Sequence, residues 1–133
     1  MSEILKMTIL GNPEYIQIAK MAAGSAASLE GFDIEDVEDI KMAVAEACKT
    51  VTCHGFDGWS VNYSIIMEMS KETLTVYVED SSCKHTVAKG ERPCLDCPNE
   101  GDLGIQIIKS IMDEIKIIKV GDGCKSIKMV KNK

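Results

Sequence analysis

Glu46 to Gly55 reads EACKTVTCHG, and its setting decides the fold. Just upstream, DIEDVEDIKMAVAEAC places Ile40, Val44, Ala47 and Val51 on one side of a helix at about 100° per residue. Asp39, Glu46, Thr50 and Cys53 form a narrow stripe facing away from that side. The stretch is thus the second half of an amphipathic helix. Asp33 caps its start, with Asp36 three residues on and further acids in the first turns, and it is expected to finish near Cys53 to Gly55. Two short boxes follow in order. Asp-Ser-Ser at Asp80 to Ser82 begins 34 residues beyond Glu46, and Gly-Asp-Leu-Gly at Gly101 to Gly104 begins 21 residues beyond Asp80.

Working outward, Lys6 to Leu10 is a short β-prone run ended by Gly11-Asn12. Pro13 suits a first helical turn, and Glu14 suits the positive end of the helix dipole. Ile16, Ala19, Ala23, Ala26, Ala27 and Leu29 then share one helical arc, with Gly31 as the stop. Beyond the central helix, Trp59 to Met69 and Thr73 to Val78 read as strands joined at Ser70-Lys71-Glu72. Asp80 to Gly101 has no sustained period and holds Pro93 and Pro98; a loop of about 20 residues inside a domain is usually functional. Leu103 to Met112 returns to helical spacing. Glu114 to Val120 and Lys125 to Val130 alternate as strands around Gly121-Asp122-Gly123. The order β-α-α-β-β-loop-α-β-β, with no repeat or linker, predicts one domain over 1–133. Its class is α+β, a two-layer α/β sandwich with helices on one face of a mostly antiparallel, mixed sheet.

Bulk properties narrow the function classes. At 133 residues the chain is long enough for a proper core, and 45% hydrophobic with 27% charged residues describes a globular protein. A net charge of −6 argues against binding a phosphate backbone directly, though not against a basic protein partner. MSEILKMTILG does not read as a signal peptide, and no stretch approaches the roughly 20 apolar residues of a membrane span. A cytoplasmic protein is expected, with its six cysteines reduced.

Taken together, the three boxes resemble the nucleotide-binding boxes of the GHKL (histidine-kinase-like) ATPase superfamily. Within it the chain is similar to bacterial anti-sigma regulatory factors that are serine-protein kinases. PEYIQIAK (13–20), DIEDVEDIKMAVAEAC (33–48) and GDLGIQIIKSIMDEIKI (101–117) carry the likeness over nearly the whole chain. The fold it implies is the Bergerat ATP-binding fold. The cofactors it implies are ATP and Mg²⁺, and the partners a sigma factor, an anti-anti-sigma protein of STAS fold and a second copy of the chain.

Residue by residue, Glu46 matches the family's carboxylate that orients or deprotonates the attacking hydroxyl, a task suited to a group that accepts a proton while positioning the nucleophile. Thr50 stands where the family has a magnesium-binding asparagine; a hydroxyl is a weaker hard-oxygen ligand, although P-loop proteins use one. His54 matches a histidine at the end of that helix, where packing and capping are its expected role. Asp80 matches the aspartate that accepts from the adenine amino group, and Ser82 replaces the glycine two residues on. Gly101 and Gly104 match the glycines before the last helix, whose first amides favour phosphate. Asp102 replaces a further glycine there and sets a carboxylate against a triphosphate.

The resemblance puts Cys83, His85, Cys94 and Cys97, spaced C-x-H-x8-C-x2-C, within the ATP lid. Thiolates and imidazole suit Zn²⁺ or iron, and C-x2-C is a recurrent half-site. A redox-active Cys94–Cys97 pair and plain reduced thiols are the other open readings. Cys48 falls on the buried side of the central helix, Cys53 lies on the Glu46 stripe, and Cys124 begins the last strand.

Two functional expectations follow. The first is an anti-sigma factor that binds ATP and phosphorylates a serine of its anti-anti-sigma partner while sequestering a sigma factor. The second is a non-catalytic partner-switching module with a degenerate nucleotide site, metal- or redox-responsive through Cys83, His85, Cys94 and Cys97. Thr50, Ser82 and Asp102 favour the second. A histidine-kinase catalytic domain shares the fold, but the sequence shows no dimerisation helices or phospho-acceptor histidine ahead of it.

Overall fold

Apolar and polar residues alternate through Asn62–Met69 (β2) and Thr73–Asp80 (β3), so each strand presents one face to a core. Tyr63, Ile65, Met67 and Met69 of β2 are buried, as are Leu74, Val76 and Val78 of β3. The turn between them is held by Ser70, whose amide donates to the Thr73 carbonyl at 3.0 Å and whose hydroxyl lies 2.8 Å from that of Thr73. The structure is a computed structural model that describes residues 3–51, 62–80, 103–120 and 124–133. Besides these two strands it contains β1 (Glu3–Leu10), β4 (Glu114–Val120) and β5 (Cys124–Asn132), with helices α1 (Pro13–Leu29), α2 (Ile34–Val51) and α3 (Leu103–Ile111).

The strand order is β1-β2-β3-β5-β4, and all four ladders are antiparallel. Ile127 and Met129 of β5 continue the covered face begun by β2 and β3. The helices pack on it, giving the expected two-layer α+β sandwich. β1 starts at Glu3, three residues before the run read as strand, because its ladder with β2 extends to Glu3↔Met69.

α1 packs against α2, with Gly24 close to the Lys41 side chain, and its Ala19, Ala23, Ala26 and Ala27 are buried in the core. Leu29, expected on the same arc, is 85% exposed. The reason is local. Gly31 takes φ +87°, its amide donates to the Ser28 carbonyl, and the Phe32 amide donates to that of Ala27. This Schellman closure ends α1 and turns the chain so that Phe32 is buried, while Leu29, at the edge of the arc in the last turn, is left in solvent.

Asp33 then starts α2, its Oδ1 accepting from the Asp36 amide at 2.9 Å. Replacing Asp33 with alanine is expected to cost about 1 kcal/mol, and with asparagine far less. Urea titration of the two variants reads the difference directly.

α2 is central. It lies between α1 and α3 and over β3 and β5, so its buried set runs most of the way round: Ile40, Ala43, Val44, Ala45, Ala47, Cys48, Thr50 and Val51. Burial pushes the Cys48 thiol from 9.0 up to about 12. A raised pKa favours the folded state most where the thiol is neutral in both states. That contribution is full below pH 9 and lost as pH rises toward about 12. Native protein at pH 8 should leave Cys48 unalkylated by iodoacetamide, and urea should expose it, as peptide mass mapping would show.

Candidate functional site

The candidate site begins with the outward stripe of α2. Glu46 and Thr50 stand one turn apart on it, so both side chains leave the helix on the same side. That side does not face solvent, as the sequence pattern suggested. Thr50 is 7% exposed and the Glu46 side chain 22%, because the start of α3 lies across them.

Gly104, the second residue of α3, makes this crossing close. A Cβ built on it would overlap the Thr50 hydroxyl oxygen and stand 3.5 Å from Glu46 Oε2. Only a residue without a side chain lets the two helices meet here. Ile105 and Ile108 anchor α3 to the core behind this contact. Its first-turn amides, which have no partner within the helix, therefore start beside a carboxylate and a hydroxyl. Lys49, one turn from Glu46 by the i,i+3 rule, places Nζ 3.7 Å from Glu46 Oε1 and offsets part of the local negative charge.

Asp80 ends β3 in register with Tyr63. Lys131 of β5, paired with Leu74 at the other end of β3, binds Asp36 and Asp39 in the first turns of α2. From Asp36 to Thr50, α2 climbs about 21 Å, and β3 spans about 20 Å from Leu74 to Asp80. α2 packs on β3 and β5, so its Glu46–Thr50 half runs toward the end of the sheet where β3 stops at Asp80.

Glu46, Thr50 and Gly104 are thus brought together. Ser82, Gly101 and Asp102, together with His54, Cys53, Cys83, His85, Cys94 and Cys97, lie outside the described residues. Among the described residues, no group of three or more His, Cys, Asp or Glu side chains could hold a metal ion. No helix of the described residues is long and apolar enough to cross a membrane. Sequence reading missed Lys131 altogether, because its partners on α2 lie some 90 positions away and no spacing rule links them.

A concavity of about 340 Å³ lies between α1 and α2 and is lined by Met21, Gly24, Ser25, Ser28, Val37 and Lys41. Lys41, the cation among its described lining residues, already binds Glu38 at 3.1 Å.

Known proteins align with this arrangement along most of the chain. Residues 9–131 match the histidine kinase-like ATPase domain. The chain is 27% identical over 124 residues to the serine-protein kinase RsbW of Bacillus velezensis, covering 86% of this chain and 78% of that protein. It is 28% identical over 123 residues to the serine-protein kinase RsbW of Halalkalibacterium halodurans, covering 86% and 75%. To the RsbW of Bacillus cereus it is 28% identical over 125 residues, covering 87% and 78%.

Proposed function

The chain belongs to the histidine kinase-like ATPase domain family, and from that premise we propose that it is a cytoplasmic anti-sigma factor and ATP-dependent protein serine kinase. It phosphorylates a serine of an anti-anti-sigma partner of STAS fold, sequesters a sigma factor, and works as a homodimer with one ATPase domain per chain. The serine-protein kinases it resembles support the reaction class. The observation that carries the reading is the convergence of Glu46 and Thr50 on Gly104 at the start of α3.

The donor set suits ATP with Mg²⁺. A carboxylate and a hydroxyl are hard oxygen ligands of the kind magnesium takes, usually alongside phosphate oxygens and water. The Thr50 hydroxyl fills the space a Cβ at position 104 would take, so its oxygen is held against the first turn of α3, where helix amides favour phosphate. Bound ATP supplies the phosphoryl group, and magnesium neutralises the charge on it.

The chain's residues do the rest. Thr50 and the first amides of α3 would hold the metal and phosphate end, a role the family resemblance extends to Gly101. Asp80 at the end of β3 accepts from the adenine amino group beside Ser82. The Glu46 carboxylate accepts the proton of the substrate serine as its oxygen attacks the phosphoryl group.

Incubating the chain with γ-labelled ATP, Mg²⁺ and a STAS-fold partner should place label on a partner serine. A second reading, a partner-switching module without turnover, is favoured by one observation. The Thr50 hydroxyl is buried against Gly104, and the larger side chain of an asparagine there would have to displace α3. ATP binding without transfer would select that reading; absence of ATP binding by calorimetry would end the kinase reading.

A further inference from the structure

Lys131 occupies a core-facing position of β5, opposite Leu74 and two residues beyond buried Met129, yet it carries a charge. Its side chain is 12% exposed. A lysine taken so far from water needs partners, and it has three. Nζ donates to the carbonyl oxygen of Ile111, the last residue of α3, at 2.6 Å. It also lies 3.6 Å from Asp36 Oδ1 and 3.6 Å from Asp39 Oδ2, both on α2. The segment leaving α3 is tied to β5 on either side of this lysine. The Asp113 amide donates to Val130 O at 2.9 Å, and the Asn132 amide donates to Asp113 Oδ2 at 2.6 Å.

α3 is therefore fixed to α2 at two points. At its start Gly104 rests on Thr50, and at its end the Ile111 carbonyl is joined through Lys131 to Asp36 and Asp39. The two helices run antiparallel between these points. A helix of nine residues has little stability of its own, so its position depends on what it packs against and what holds its ends. Gly104 and Ile111 are only about 10 Å apart along the axis, so any slide of the C-terminal carbonyl is passed whole to the first-turn amides.

We infer that Lys131 is a positioning residue for the phosphate end of the site: by clamping the C-terminus of α3 to α2 it sets the height of that helix's N-terminus above Glu46 and Thr50. This rests on the reading of the α2–α3 crossing as a nucleotide site. It also carries a specific consequence. The clamp controls contacts to phosphate, at the start of α3, and leaves contacts to the base, carried by other segments, untouched.

The test measures affinity for ATP with Mg²⁺ and, by displacement titration, for adenosine, in the full chain and in Lys131→Met and Lys131→Arg. Melting temperatures are recorded alongside. Lys131→Met should bind ATP about tenfold more weakly, the loss expected when a helix start is misplaced by a fraction of a turn. Adenosine affinity should be unchanged, and Lys131→Arg, which keeps the donor and charge, should recover most of the ATP affinity. Should Lys131→Met not fold, Asp36→Asn/Asp39→Asn weakens the clamp from the α2 side while keeping shape, and the same split is expected. Equal losses for ATP and adenosine, or no loss of either in a folded variant, would overturn the inference. Failure of the unmodified chain to bind ATP would instead overturn the nucleotide-site reading beneath it.

Discussion

Gly104→Ala should weaken ATP binding by about 5- to 150-fold, the equivalent of the 1–3 kcal/mol that overpacking a close contact costs. The added methyl overlaps the Thr50 hydroxyl and presses on Glu46 Oε2 at 3.5 Å, so α3 must lift or Thr50 must turn. Neither is cheap. Thr50 is buried with a β-branched side chain whose rotamers are restricted, and Ile105 and Ile108 hold α3 to the core. Folding stability should fall within the same range. Thr50→Ala removes the obstructing oxygen, so the double variant Gly104→Ala/Thr50→Ala should recover a good part of the stability lost. A double-mutant cycle by urea titration would read that coupling. Additive effects would mean that the two positions do not touch.

The second large effect is chemical rather than steric. Glu46→Gln keeps the shape of the side chain and removes its capacity to accept a proton, so phosphate transfer to the partner serine should fall about 10²- to 10⁴-fold. ATP affinity should change little, since an amide still offers an oxygen at the same place. Stability should hardly move. The charge pair lost with Lys49 spans 3.7 Å at a part-exposed site, where such pairs contribute about 0–1 kcal/mol. A Glu46→Gln protein that transfers phosphate at the normal rate would remove the carboxylate from the reaction and leave it a structural role.

Much of this arrangement was legible before any coordinates. Helical periodicity placed Glu46 and Thr50 on one side of α2, and the family resemblance of the three boxes linked that stripe to Asp80 and Gly104. Asp33 as a cap and Gly31 as a stop were readable for the same reason, since each rests on local backbone chemistry. What the pattern could not give was what covers a face. Thr50 looked outward because periodicity separates apolar from polar residues, and a hydroxyl buried under a glycine from another helix leaves no mark on either segment. Leu29 was assigned to the inward arc, but it lies at the arc's edge in the last turn of α1 and stays exposed, while Phe32 beyond the Gly31 turn is buried. Lys131 was invisible because the strand read from the sequence stops at Val130, whereas pairing with β3 carries β5 on to Asn132. Only the tertiary structure shows it meeting α2 and the end of α3.

The central claim is that phosphate binds where Glu46, Thr50 and Gly104 meet. Backbone amide shifts recorded by NMR on the labelled chain, titrated with ATP and Mg²⁺, address it most directly. The account predicts the largest shifts at Gly104, Ile105 and the Glu46–Thr50 turn, with saturation at one ATP per chain. Shifts concentrated instead in the groove between α1 and α2, around Met21, Ser25 and Lys41, or no saturable shifts at all, would contradict it.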